Sequence, residues 1–106
     1  MDAEDLFWDL AEPLLAEPAV TRSTMMGFPC LRFEGRFFAS LDSKTHALVI
    51  KLPAARVADL ISRGSGEPFA PAGRAFREWV AVPAPDRRSW LALLTEAKSH
   101  AAKLDR

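Results

Sequence analysis

Apolar positions recur at close to every second residue between Phe28 and Leu52, in the run FPCLRFEGRFFASLDSKTHALVIKL. The alternation breaks twice, at Glu34-Gly35 and at Asp42-Ser43-Lys44-Thr45. Aromatic and β-branched residues at near period two, interrupted by Gly and by Asp and Ser, predict an antiparallel meander. Val20–Met26 reads as a strand before it, with Val20, Arg22, Thr24 and Met26 on one face and Thr21, Ser23 and Met25 on the other. Gly27 permits a turn or a bulge that most residues resist. Phe28–Phe33 is the second strand, and Pro29, which cannot donate to a ladder, belongs at a strand start or sheet edge. In His46–Leu52, Leu48, Ile50 and Leu52 face the core and Lys51 faces away. Phe76–Val82 is the last strand, with Phe76, Glu78, Val80 and Val82 alternating against Arg77, Trp79 and Ala81.

The turn at Glu34-Gly35 decides which side chains lie inside. A two-residue loop puts Leu31, Phe33 and Phe38 on one face with Arg36 among them. A three-residue loop ending in a left-handed Gly35 gathers Leu31, Phe37, Ala39 and Leu41, and leaves Cys30, Arg32, Arg36, Phe38 and Ser40 opposite. The second separates polar from apolar better and is the register the pattern favours.

Three stretches carry helical periodicity. Asp2 caps the first, Glu4 and Asp5 suit its first turn, and Leu6, Phe7, Leu10 and Leu14 share a face. Pro13 predicts an end or kink near Ala11–Glu12, with Leu14–Glu17 as one further turn and Pro18 closing it. Pro53 opens the second helix, Val57, Leu60 and Ile61 form its apolar stripe, and Gly64 ends it as a left-handed residue. Residues 64–76 read as a loop rich in Gly and Pro. Asp86 caps the third helix, whose stripe is Trp90, Leu93, Leu94, Ala97, Ala101 and Leu104, with Lys98, Lys103 and Arg106 suiting its C-terminal end. Strands in succession between helices argue against a parallel doubly wound sheet. The expected fold is α+β: a two-layer, twisted antiparallel meander, three helices largely on one face, the other face left for solvent or a partner.

A chain of 106 residues fits one domain, spanning 1–106. Charge changes the picture more than size does. Lys plus Arg equals Asp plus Glu, yet residues 1–21 hold six acidic and no basic residues, so the remainder is net basic. A single cysteine, Cys30, excludes an internal disulfide and suits a reducing cytoplasm. The acidic start is unlike a signal peptide, and no apolar run reaches ~18 residues, so a cytoplasmic location is expected.

Catalytic chemistry finds little support. His46, His100 and Cys30 stand apart, without the spacing that metal ligation needs. No serine is marked as sitting on a strained elbow, and Cys30 reads as a small core residue rather than a nucleophile. Gly64-Ser65-Gly66 and Gly73 match neither a phosphate-binding loop nor a dinucleotide fingerprint. No metal or cofactor is expected. Basic residues interleaved with Phe28, Phe38 and Trp79 in or beside the strands offer a nucleic-acid surface.

The order of several short motifs resembles the N-terminal domain of the TfoX (Sxy) family. Thr24-Met25-Met26-Gly27 is similar to its Met-Phe-Gly segment, with Met26 where the family usually has Phe. The likeness continues through Glu34-Gly35, Arg36-Phe37-Phe38-Ala39, Leu48-Val49-Ile50-Lys51-Leu52, Gly64, Pro68-Phe69, Gly73-Arg74, Arg77-Glu78-Trp79-Val80 and Trp90. It covers about residues 5–103 and also looks like the related YjbR (MmcQ-like) group, often described as DNA-binding. The resemblance implies a secretion-chaperone-like α+β fold and a regulatory domain with no catalytic residues to carry over. TfoX proteins, which regulate competence, have a second, C-terminal domain that these residues do not match.

Residues and resemblance together lead to a non-catalytic interaction domain, binding a protein partner or itself through a sheet face or an edge strand. Met25, Met26, Gly27 and Phe28 are its contact candidates. The alternative is a DNA-binding module using Arg22, Arg32, Arg36, Lys51, Arg74 and Arg77. An enzyme would need a deep pocket with convergent polar groups, to which no residue points.

Overall fold

The computed structural model describes residues 2–104. Helix α1 (Ala3–Leu15) leads into strands β1 (Val20–Met25), β2 (Phe28–Phe33), β3 (Arg36–Asp42) and β4 (Ala47–Lys51). Helix α2 (Ala54–Ser62), strands β5 (Glu67–Pro68) and β6 (Trp79–Val82), and helix α3 (Arg87–Lys103) follow. Every neighbouring pair of strands is antiparallel, in the order β1-β2-β3-β4-β6-β5. The expected α+β architecture is what forms: the helices pack on one sheet face, and Phe7, Leu10, Leu31, Leu41, Leu48, Ile50, Leu52, Val80, Trp90 and Leu94 join in one core. Among the described residues no helix is long and apolar enough to cross a membrane.

Local signals place the helix ends. Asp2 accepts from the Asp5 N–H at 2.8 Å, and Asp86 from the Ser89 N–H at 2.9 Å, so both predicted N-caps form. Arg63 is the C-cap of α2, and Gly64 follows with φ +74°. Ser65 N–H donates to Leu60 O at 2.9 Å and Gly64 N–H to Ile61 O at 3.0 Å, a Schellman closure. Pro13 does not end α1 at Ala11–Glu12; the helix runs on to Leu15. Pro13 falls in the last turn, where only one ladder bond is lost. Burying Leu14 is worth roughly 1.5–3 kcal/mol, comparable with the cost of the proline. At the far end Leu104 is exposed rather than part of the core stripe, because it has become the C-cap of α3; Arg106 lies outside the described residues.

The β2–β3 hairpin differs from the favoured register, and a bulge explains how. Phe33 faces Arg36 across a two-residue loop in which Glu34 and Gly35 have φ +49° and +84°. Arg32 pairs with Phe37, but Leu31 pairs with Ala39, so Phe38 is an extra residue on β3. Up to Phe38 the hairpin follows the two-residue alternative, with Phe33, Arg36 and Phe38 toward the helices. From Ala39 onward it follows the favoured one, with Leu31, Ala39 and Leu41 in the core. Phe37 is half-buried on the opposite face, and Phe38 is fully buried.

The last strand is shorter than predicted. β6 starts at Trp79, because its partner β4 ends at Lys51 and Pro53 then turns the chain into α2. Phe76 therefore lies outside the sheet, about half exposed. The stretch 64–76 is not all loop, since Glu67 and Pro68 pair with Ala81 and Val80. Gly66 sits at the entry to β5, where an added Cβ would lie 2.6 Å from Val80 Cγ2.

Candidate functional site

The second sheet face is not left open across its middle. Ser23, Cys30, Ser40, Val49 and Ala81 form one cross-strand row. Of these Cys30, Ser40 and Val49 are buried. Ser40 Oγ donates to Pro29 O at 2.9 Å, so this buried hydroxyl is satisfied. The cover is the chain's own loop between β5 and β6. Phe69 lies over Met25, Phe28, Ser40 and Val49, leaving a cavity of about 40 Å³ between them.

The loop is held in shape by its own bonds. Phe76 N–H donates to Phe69 O at 3.0 Å, and Trp79 N–H to Phe76 O at 3.2 Å. Gly73, with φ +80°, turns the tip and donates to Ala70 O at 3.2 Å. The Phe69 ring centre lies 6.0 Å from that of Phe76 and 6.3 Å from that of Trp79, within range of favourable aromatic contact. Between this loop and the β1–β2 hairpin tip lies an open groove of about 900 Å³, lined by Met26, Pro71, Phe76 and Trp79 with Arg74, Arg77 and Glu78 among them. A second groove of about 440 Å³ lies between Phe76 and the Ala54, Ala58 and Ile61 side of α2. Phe76 is thus a ridge between two mainly apolar depressions.

The hairpin tip presents Met26 to this groove. Met26 and Gly27 have φ +53° and +85°, and Met25 pairs with Phe28 across them, a two-residue turn with both positions left-handed. Such a turn favours Asn, Asp or Gly at its first position. Methionine there costs about 1 kcal/mol in backbone strain. Its side chain gains little from burial within the chain, because Met26 is 78% exposed.

Of the four hairpin candidates, Met26 lines the groove, Met25, Met26 and Phe28 line its inner cavity, and Gly27 completes the turn between them. The structure does not bring the six cations together. Arg22 and Arg36 point to the helical side. Arg22 lies over the Trp8 ring at 4.8 Å, and Arg36 donates to Ala101 O at 3.0 Å in the last turn of α3 and stands 3.6 Å from Glu34. Arg32, stacked on Phe37 at 4.4 Å, and Lys51, opposite Trp79, belong to the other face, with Arg74 and Arg77 in the loop above it. The acidic start of the chain pairs with α3 instead: Asp9 with Arg87 and Glu17 with Lys98, each at 2.7 Å.

Burial pushes the Cys30 thiol up, against smaller opposing effects of a Ser23 hydrogen bond and the Arg32 charge. A protonated, inaccessible sulfur is a core residue rather than a nucleophile. His46 sits in the β3–β4 turn with φ +61°, and His100 lies in the last turn of α3. Among the described residues no three His, Cys, Asp or Glu are placed to hold a metal ion.

Phe69, Pro71 and Phe76 escaped the sequence reading as site residues. The signal lay in two phenylalanines bracketing a Pro- and Gly-punctuated segment, where a solvated turn has no use for aromatic rings. No family model, curated protein or solved structure matches the chain. The likeness to the TfoX and YjbR groups rests on the quoted motifs alone.

Proposed function

We propose that this chain is a non-catalytic, regulatory binding domain of TfoX type, acting in the cytoplasm, whose groove receives a segment of a protein partner. The exposure of Met26 in a strained turn position carries this reading. A side chain kept where it costs backbone energy, facing solvent beside Phe76 and Trp79, suits contact with another molecule. Adaptable thioether and aromatic surface supplies the apolar contact. Arg74 and Arg77 favour a segment with carboxylates flanking an apolar anchor.

The test is panning of a random peptide library against the folded chain, with binding of selected peptides measured by calorimetry. Enriched peptides should carry an apolar anchor beside Asp or Glu. Met26→Asn should weaken them several-fold while raising the melting temperature, because Asn suits the turn. Phe76→Ser should abolish binding with the fold retained. Peptides that bind both variants as well as the parent, or no enrichment at all, overturn the reading.

A second reading has its own support. Arg32, Lys51, Arg74 and Arg77 lie on or above one sheet face with Phe37 and Trp79. A DNA-binding role for these four predicts binding of a labelled duplex that weakens steeply as salt rises. Absence of binding at low salt sets it aside.

A further inference from the structure

The two edges of the sheet are finished differently. β5 is two residues long and includes Pro68, a blunt edge that offers little to a partner strand. β1 is six residues long, with no proline, no lysine and an unbroken register against β2. Its one charged side chain, Arg22, is drawn over the Trp8 ring of α1, toward the helical side of the sheet.

The register fixes which backbone groups of β1 are free. Met25 and Phe28 flank a two-residue turn and so exchange both hydrogen bonds. Bonded pairs alternate along an antiparallel ladder, so Met25, Ser23 and Thr21 direct N–H and C=O toward β2. Arg22 and Thr24 direct theirs outward. Val20 N–H is already taken by Glu17 O at 3.0 Å, which closes that end of the edge. Outside the ladder, no backbone hydrogen bond among the described residues reaches Arg22 or Thr24.

We propose that β1 pairs antiparallel with β1 of a second copy of this chain, about a two-fold axis at Ser23, joining two sheets into one. The strand is self-complementary in this register. Arg22 faces Thr24 of the other copy and Thr24 faces its Arg22, so each of these pairs exchanges two N–H···O=C bonds. The two guanidinium groups stand apart, whereas an axis at Arg22 would set like charges directly opposite. Ser23 meets its own symmetry mate in a non-hydrogen-bonded pair, small enough for close approach, and Thr21 faces Met25. Any other strand would need its own match to this pattern; a second copy has it by symmetry. The dimer also places the two Met26 tips on one continuous face, so a partner with two binding segments gains from avidity. The pairing itself does not depend on what the groove binds.

Sedimentation velocity of the full chain, from micromolar to millimolar concentration, reads the dimer as twice the 11.7 kDa mass. Ser23→Asp and Ser23→Lys each place like charges at the axis, and each should be monomeric, while their equimolar mixture should regain the dimer. In a Cys30→Ala background, Ser23→Cys should form an interchain disulfide under mild oxidation, since non-hydrogen-bonded pairs bring Cα atoms within bridging distance. Thr24→Pro, which removes an outward N–H and leaves the β2 ladder intact, should also yield monomer. A parent chain that stays monomeric throughout, or charge variants that dimerise as well alone as mixed, overturns the proposal.

Discussion

Phe37 and Phe38 are adjacent, chemically identical and placed on opposite sides of the sheet by the bulge in β3, so truncating each in turn tests the hairpin register. Phe38 is fully buried among the helix-side residues. Phe38→Ala loses the transfer energy of a buried ring and leaves a cavity behind, about 3–5 kcal/mol together. Phe37 is half-buried, and its distinctive contact is the Arg32 guanidinium at 4.4 Å, worth about 0.5–1 kcal/mol at a partly exposed site. With its lost apolar area, Phe37→Ala should cost about 1–2 kcal/mol. Urea unfolding followed by tryptophan fluorescence reads both. With a slope of about 2 kcal/mol/M, Phe38→Ala lowers the midpoint by roughly 2 M and Phe37→Ala by less than about 1 M. Against a total stability of about 5–15 kcal/mol, that loss is a large fraction of what holds the domain folded. Equal costs, or a larger cost at Phe37, would refute the bulge and restore the register that simple alternation favours.

Three further outcomes follow from the packing and titration. Gly66→Ala should destabilise by about 1–2 kcal/mol: its Cβ meets the stiff, buried Val80 side chain at 2.6 Å, which outweighs the ~0.4–1 kcal/mol gained from a less flexible unfolded chain. In a Val80→Ala background most of that cost should vanish, as a double-mutant cycle would report; persistence would put the cause elsewhere. Cys30 should react with a thiol reagent only on unfolding. Its thiol is raised in the folded chain, so stability is intact below the ordinary thiol range, about 8.5, and falls as pH rises beyond it; Cys30→Ala should flatten that alkaline decline in Tm. Asp86 is lowered first by the Ser89 N–H and then by the Ser89 side chain, so its contribution is full above about pH 4 and is lost as pH falls through the lowered value. Asp86→Ala should lower Tm at neutral pH and weaken the acid-side decline, and an unchanged acid limb would exclude this linkage.

Much of the fold was legible because its signals are local. Asp2 and Asp86 cap helices through their own next turn, and Gly64 closes α2 through neighbouring carbonyls. Leu48, Ile50 and Leu52 announce a buried face by alternation and take it. Alternation also makes the hairpin ambiguous: a single extra residue exchanges the faces, and a bulge costs too little to leave a mark in the sequence. Phe38 beside Ala39, both buried, breaks period two and reveals the bulge only once the strands are paired. Arg36 looked like a surface cation, and its role at the end of α3 depends on a residue 65 positions away.

By itself the sequence determined the element order, the caps and most of the core, all consequences of backbone propensity and periodicity over a few residues. Only the tertiary structure decided where the loop between β5 and β6 lies. It folded that loop over the second face, brought Phe69 against Ser40 and Val49, and set Phe76 and Trp79 beside Met26 from the far side of the sheet. It also divided the cations between two faces and left β1 as the open edge. Groove and edge both arise where segments far apart in the chain meet or fail to meet, and no local pattern encodes that encounter.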